Sequence, residues 1–142
     1  MIPPKFREYA KAFLNIAKKD NIRAKRALQL KDYPECFFYS QQSVEKSVKA
    51  MLEVKLIYKK EHDIIADASN NLQDLGNELD VVLNALDYLS GAWNMSRYPF
   101  FNGNNITTPE EFVTEEMCRQ GINYSDEVIS IAENYLRKHG VI

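Results

Sequence analysis

Leu72, Leu75, Leu79, Val82, Leu86, Leu89 and Trp93 recur in steps of three and four. Only an α-helix places residues so spaced on one face. A half-buried strand would alternate with period two, and no stretch of the chain sustains that pattern long enough to be a strand. The seam therefore predicts a long helix ending near Ser96, and it commits the fold to helices packed on helices.

The remaining segments fit the same class. Phe6, Tyr9, Ala10, Phe13, Ala17, Ala24, Ala27 and Leu28 follow a helical period over residues 4 to 31, interrupted near Asp20 and Asn21, where a bend is possible. A second helix opens at Asp32-Tyr33-Pro34-Glu35, with Asp32 as cap, Pro34 in the first turn and Glu35 closing a capping box, and runs to about Val54. A loop through Lys59, Lys60 and Glu61 leads to a short helix over residues 63 to 70. The last helix opens at Thr108-Pro109-Glu110-Glu111 and carries Val113, Met117, Tyr124, Val128, Ile131 and Tyr135 on one face until Gly140, with Arg137, Lys138 and His139 at its negative end. The expectation is an all-α, up-and-down bundle of about five helices, four long and one short. At 142 residues it is expected to form a single domain over 1–142. Between the two longest seams lies an eleven-residue connector, Arg97 to Thr107, expected to be structureless and of a length that is often functional.

Charge is unevenly spread. Residues 1 to 31 carry nine Lys/Arg against Glu8 and Asp20, whereas the rest carry nine against eighteen acids. A basic first helix can face phosphate, or an acidic helix of its own fold or of a partner subunit; the near-cancellation favours the second. Cys36 and Cys118 belong to no CxxC pair and have no ligand cluster around them, so both are expected as reduced core residues of a cytoplasmic protein. The first residues lack the unbroken apolar core of a signal peptide or membrane span. No Gly-rich phosphate loop, nucleophile elbow or zinc-type spacing is present, and neither cofactor nor metal is expected.

The run CFFYSQQSVEKSVKAML, residues 36 to 52, is the most informative. Phe37, Val44, Val48 and Met51 form a buried face, while Gln41, Gln42, Glu45, Lys46 and Lys49 set amides and charges beside it. The glutamines either satisfy backbone groups between packed helices or line a polar pocket. With Tyr33 before it, the EHDI stretch containing His62, and Ser96-Arg97-Tyr98-Pro99, this pattern resembles the HEPN family, the higher eukaryotes and prokaryotes nucleotide-binding domain. The resemblance implies a helical bundle that pairs as a homodimer. It also implies one of three roles: metal-independent endoribonuclease or toxin, partner of a minimal nucleotidyltransferase, or noncatalytic RNA- or nucleotide-binding module.

The ribonuclease branch is marked by an arginine followed four to six residues later by histidine. Here Arg97 is present, and Asn102 stands where the shortest spacing would put the histidine. Arg97 can balance phosphorane charge, but an amide orients without exchanging a proton near neutral pH. The leading expectation is thus a noncatalytic binding module with Gln41, Gln42, Glu45, Lys46, Lys49, Arg97 and Tyr98 as ligand contacts. The alternative is a toxin-like ribonuclease using Arg97 and Asn102, helped by Tyr98 or His62. Arg97 could equally cap the preceding helix. Phe100 and Phe101 offer an apolar lip for a base or partner, with at least one ring expected to close the bundle end.

Overall fold

The computed structural model describes residues 2–57 and 63–142. Helix α1 (Pro4–Gln29) pairs antiparallel with α2 (Tyr33–Val54). Then follow α3 (Ile64–Asn71), a single 3-10 turn (Gln73–Leu75), α4 (Glu78–Leu89), the one-turn α5 (Ala92–Met95), a hairpin of β1 (Phe100–Asn102) and β2 (Asn105–Thr107), the one-turn α6 (Pro109–Phe112) and α7 (Glu115–Lys138). The architecture is the all-α bundle expected, with α1, α2 and α7 at its centre and α4 against α2 and α7. His62 and the Lys59–Glu61 loop lie outside the described residues.

Local chemistry explains the joints. Between α1 and α2, Lys31 takes a left-handed φ of 59°, and the amides of Lys31 and Asp32 donate to the carbonyls of Leu28 and Ala27, closing a Schellman motif without glycine. The Asp32 side chain then accepts from the Glu35 amide. The expected reciprocal half of that capping box is missing, because the Asp32 N–H is already spent on α1. The seam through Leu72 to Trp93 faces the core except at Trp93, but it is not one helix. Gly91, at φ 81°, breaks it after Ser90, and the chain restarts as α5. The capping box at Thr108 and Glu111 forms as expected, yet it opens only the single turn of α6. Extended backbone at Val113 resets the chain, and Thr114 caps α7 by accepting from the Met117 amide.

Two further expectations fail. The Arg97–Thr107 connector is not structureless: Phe100 pairs with Thr107, Phe101 with Ile106 and Asn102 with Asn105. Gly103 has a φ of 66° and Asn104 is not in the positive region, the sign pattern of a type II′ turn. Three-residue strands are too short to register as period-two alternation. Cys36 and Cys118 are buried as expected but joined in a disulfide, their Cα atoms 5.6 Å apart. It fastens the first turns of α2 and α7, and a sequence separation of 82 leaves no spacing signal to announce it.

The interruption at Asp20 and Asn21 does not end α1. Both side chains are buried, and they meet a polar layer between α1, α2 and α7. Asn21 Nδ2 donates to Ser125 Oγ at 2.8 Å and to Asp126 Oδ1 at 3.0 Å; Ser125 Oγ donates to Ser43 Oγ at 2.8 Å, which donates to the Ala17 carbonyl at 2.9 Å. Gly121 lies where a Cβ would come within 3.1 Å of Ser40 Cβ, so α2 and α7 approach closely enough there that a side chain would have to push Ser40 back by a few tenths of an ångström. The basic face of α1 meets α7 through Lys18–Glu133 and Lys25–Asp126 pairs.

At the far end of α2, Glu53 is 1% exposed and neither carboxylate oxygen has a hydrogen-bond partner among the described residues. Burial pushes its pKa up to about 7, against a smaller opposing effect of Lys5. The folded state therefore keeps a proton that the unfolded chain has already released, so stability declines as pH rises from the ordinary glutamate range through about 7. Glu53→Gln should raise stability at pH 8 by about 1 to 3 kcal/mol and leave it unchanged at pH 4, as read by thermal melts at both. The disulfide closes a long loop, so Cys36→Ser with Cys118→Ser should cost about 3 to 4.5 kcal/mol, about 10 to 15 °C in Tm, and reductant should have the same effect on the parent chain.

Candidate functional site

Along α2, Phe38, Gln41, Gln42, Glu45 and Lys49 recur at helical spacing, and all but Phe38 are half-buried. Gln42 Nε2 donates to Gln41 Oε1 at 2.7 Å, Gln41 Nε2 to Glu45 Oε2 at 3.4 Å, and Lys49 lies 3.8 Å from Glu45. The glutamines thus bond to side chains, not to backbone. Gln41 also borders a small cavity of about 180 Å³ with Val44, Asp63, Ile65, Leu86 and Ser90.

Arg97 sits where α5 runs out, exposed to solvent. Its guanidinium carbon lies 4.8 Å from the Phe38 ring centre and 4.6 Å from that of Trp93, and these two rings are themselves 5.4 Å apart. Two cation–π contacts hold the cation in place without neutralising its charge. It has no carboxylate partner among the described residues. The reading of Arg97 as a helix cap is not what the geometry shows: its contacts are rings, not terminal carbonyls. Tyr98 is exposed beside it, and its amide bonds the Asn94 carbonyl. Phe100 packs edge-on against Phe112 with centroids 5.1 Å apart, closing the bundle end, whereas Phe101 is 76% exposed opposite Ile106 on the hairpin.

The candidate residues do not all converge. Lys46 turns to α1, where its Nζ lies 2.6 Å from Asp20 Oδ2, while Arg23 holds Oδ1 at 2.7 Å. Asn102 ends β1 at the hairpin turn, exposed and paired with Asn105, and no described hydrogen bond links it to Arg97. The second histidine belongs elsewhere. His139 stacks on Tyr135 at 4.4 Å and lies 3.5 Å from Asp74 Oδ2, which Lys55 approaches to 3.2 Å. Lys55 follows the end of α2, and Phe38 lies sixteen residues before that end, roughly 24 Å along the helix. His139 is therefore no proton shuttle for Arg97 within the chain. Partial burial opposes ionisation of Asp74, but hydrogen bonds from Tyr135 and Lys55 hold its pKa below the ordinary range; burial and that carboxylate push Tyr135 up.

The fold and site define a small helical-bundle domain with an arginine held against two aromatic rings beside the α2 glutamines' helix. The chain belongs to the HEPN domain family, which matches residues 10–135. A protein of Methanocaldococcus jannaschii, named as a putative toxin, is 29% identical over 141 residues, covering 94% of this chain and 93% of the relative. A crystal structure of a Thermus thermophilus protein superposes with a TM-score of 0.76 at 20% identity, over 89% of this chain and 98% of that one. An archaeal HEPN homologue does so with a TM-score of 0.66 at 24% identity, over 88% and 95%. Among the described residues no helix is long and apolar enough to cross a membrane.

Neither the ring clamp on Arg97 nor the buried layer under Lys46 is part of the sequence reading. The first had a faint signal, since Trp93 and Arg97 are four residues apart; the second lay in the period of Ser40, Ser43 and Ser47. Because Asp20 is 2% exposed, Lys46→Met leaves a buried carboxylate with Arg23 alone and should cost about 1 to 3 kcal/mol in urea denaturation, whereas Lys49→Met should cost less than about 1 kcal/mol.

Proposed function

We propose that this HEPN domain is a noncatalytic module of a toxin–antitoxin-like pair, a cytoplasmic homodimer whose groove at Gln41, Gln42 and Arg97 binds RNA, a nucleotide or a partner minimal nucleotidyltransferase. The observation that carries the reading is Arg97 itself: a guanidinium set against the Phe38 and Trp93 rings, without a carboxylate partner or an imidazole beside it among the described residues. Such a group contacts a phosphate by charge-assisted hydrogen bonds but brings no proton acceptor with it. A two-fold dimer joining the Arg97 loops would double the cation at one anion site.

The likeness to a relative named as a toxin favours a second reading, a metal-independent ribonuclease using Arg97 and Asn102. The two readings separate in one set of measurements on structured and unstructured RNA. The binding module predicts no turnover, and affinity about ten-fold weaker in Arg97→Ala by fluorescence anisotropy, with Asn102→Ala near the parent value. Turnover that survives further purification and vanishes in Arg97→Ala overturns it in favour of the enzyme. A monomer by sedimentation at micromolar concentration removes the dimer.

A further inference from the structure

A second concavity, which Arg97 does not line, lies between α4 and the first half of α7. It encloses about 420 Å³ and is lined by Tyr88, Thr114, Glu116, Met117, Gln120 and Tyr124. Glu116, Gln120 and Tyr124 stand four residues apart on α7, one stripe along the groove floor. The Tyr88 and Tyr124 rings lie 5.5 Å apart, and Phe37 backs Tyr88 edge-on at 6.0 Å, so the aromatic wall is held from the core. Glu116 has no cation among the described residues, and neither tyrosine hydroxyl has a described hydrogen bond. Burial, then the nearby Glu116 and Tyr124, push the Tyr88 pKa up, as expected of a wall without a cation.

The surroundings have the same sign. From Glu61 to Gln120 the sequence carries eleven acidic residues against two basic ones, Arg97 and Arg119, and Arg119 is paired with Glu115 at 2.8 Å. Of the acids on α4, Glu78, Asp80 and Asp87 are exposed and in no described ion pair. A phosphate-bearing ligand is repelled there. A guanidinium or ammonium is attracted three ways: by the Glu116 carboxylate, by the tyrosine faces and by the Gln120 amide oxygen. A second copy of the chain is a poor occupant. A two-fold contact centred on the groove would set Glu116 against Glu116, and the cations another copy could bring from elsewhere are concentrated on α1. Much of the basic surface of α1 is also engaged within its own chain, through Arg7, Lys11, Lys18, Arg23 and Lys25.

We infer that the groove lined by Tyr88, Tyr124, Glu116 and Gln120 is a docking pocket for an arginine or lysine side chain presented by a basic segment of a different protein. The inference is independent of what binds at Arg97. The test uses the full chain labelled with nitrogen-15, titrated with the capped peptide Gly-Arg-Arg-Gly and, as control, Gly-Gln-Gln-Gly. Saturable shifts at the amides of Glu116, Gln120 and Tyr124 are expected with the arginine peptide alone, weakening in high salt. Glu116→Gln should weaken binding about three- to five-fold, and Gln120→Glu, which adds a carboxylate, should tighten it by a similar factor. Equal shifts from both peptides, shifts confined to other surfaces, or indifference to both substitutions would overturn the proposal. So would a change of oligomeric state in Glu116→Gln by sedimentation, which would make the occupant a second copy, or displacement of the peptide by RNA.

Discussion

A carboxyl group withdrawn from water must either keep its proton, as Glu53 does, or find counter-charges within contact distance, and Asp20 imposes the second requirement on the middle of the bundle. Lys46 answers from α2 and Arg23 from the next turn of α1. Asn21, one residue on, extends the demand to α7 through Ser125, and Ser43 returns it to the Ala17 carbonyl. Three helices that could otherwise slide along apolar faces are thereby held in one register, because a displaced turn would leave buried donors and acceptors unmatched. The serines serve a second end: their small side chains, with Gly121, let α2 and α7 come close enough for these bonds to form.

This layer decides which groups remain for ligands. Lys46 stands beside Glu45 in a run that suggests a binding face, yet its charge is committed to the interior. Arg97 is the reverse case. Its rings fix it without neutralising it, since a cation–π contact leaves the net charge in place. What distinguishes the two cations is the partner that holds each one, and the spacing along the chain carries no trace of that.

The fold was largely legible because a bundle writes its core as apolar residues at helical spacing, and Leu72 through Leu89 kept that spacing across a 3-10 turn and up to a glycine break. The breaks themselves were not, because apolar periodicity persists when consecutive pieces share a buried side. Gly91 was a visible signal for one of them, and Thr114 followed by Glu115 and Glu116, a second cap signal six residues after Thr108, was the signal for the other. The hairpin and the disulfide escaped for opposite reasons. Three-residue strands are too short to show a period, and two cysteines 82 residues apart are brought together only by the packing of α2 on α7. Of the site, the residues were legible and their contacts were not: Phe38 and Trp93 meet Arg97 from separate helices, and Tyr88 meets Tyr124 in the same way.

The Cys36–Cys118 bond also has a topological meaning. Everything from the first turn of α2 to the first turn of α7, hairpin included, becomes a covalent ring, with α1 and most of α7 as its two free arms. A single cut at the exposed Gly103–Asn104 tip would open that ring without releasing a fragment. The nicked molecule would keep its mass and its central helices, and would come apart only when the sulfurs were reduced.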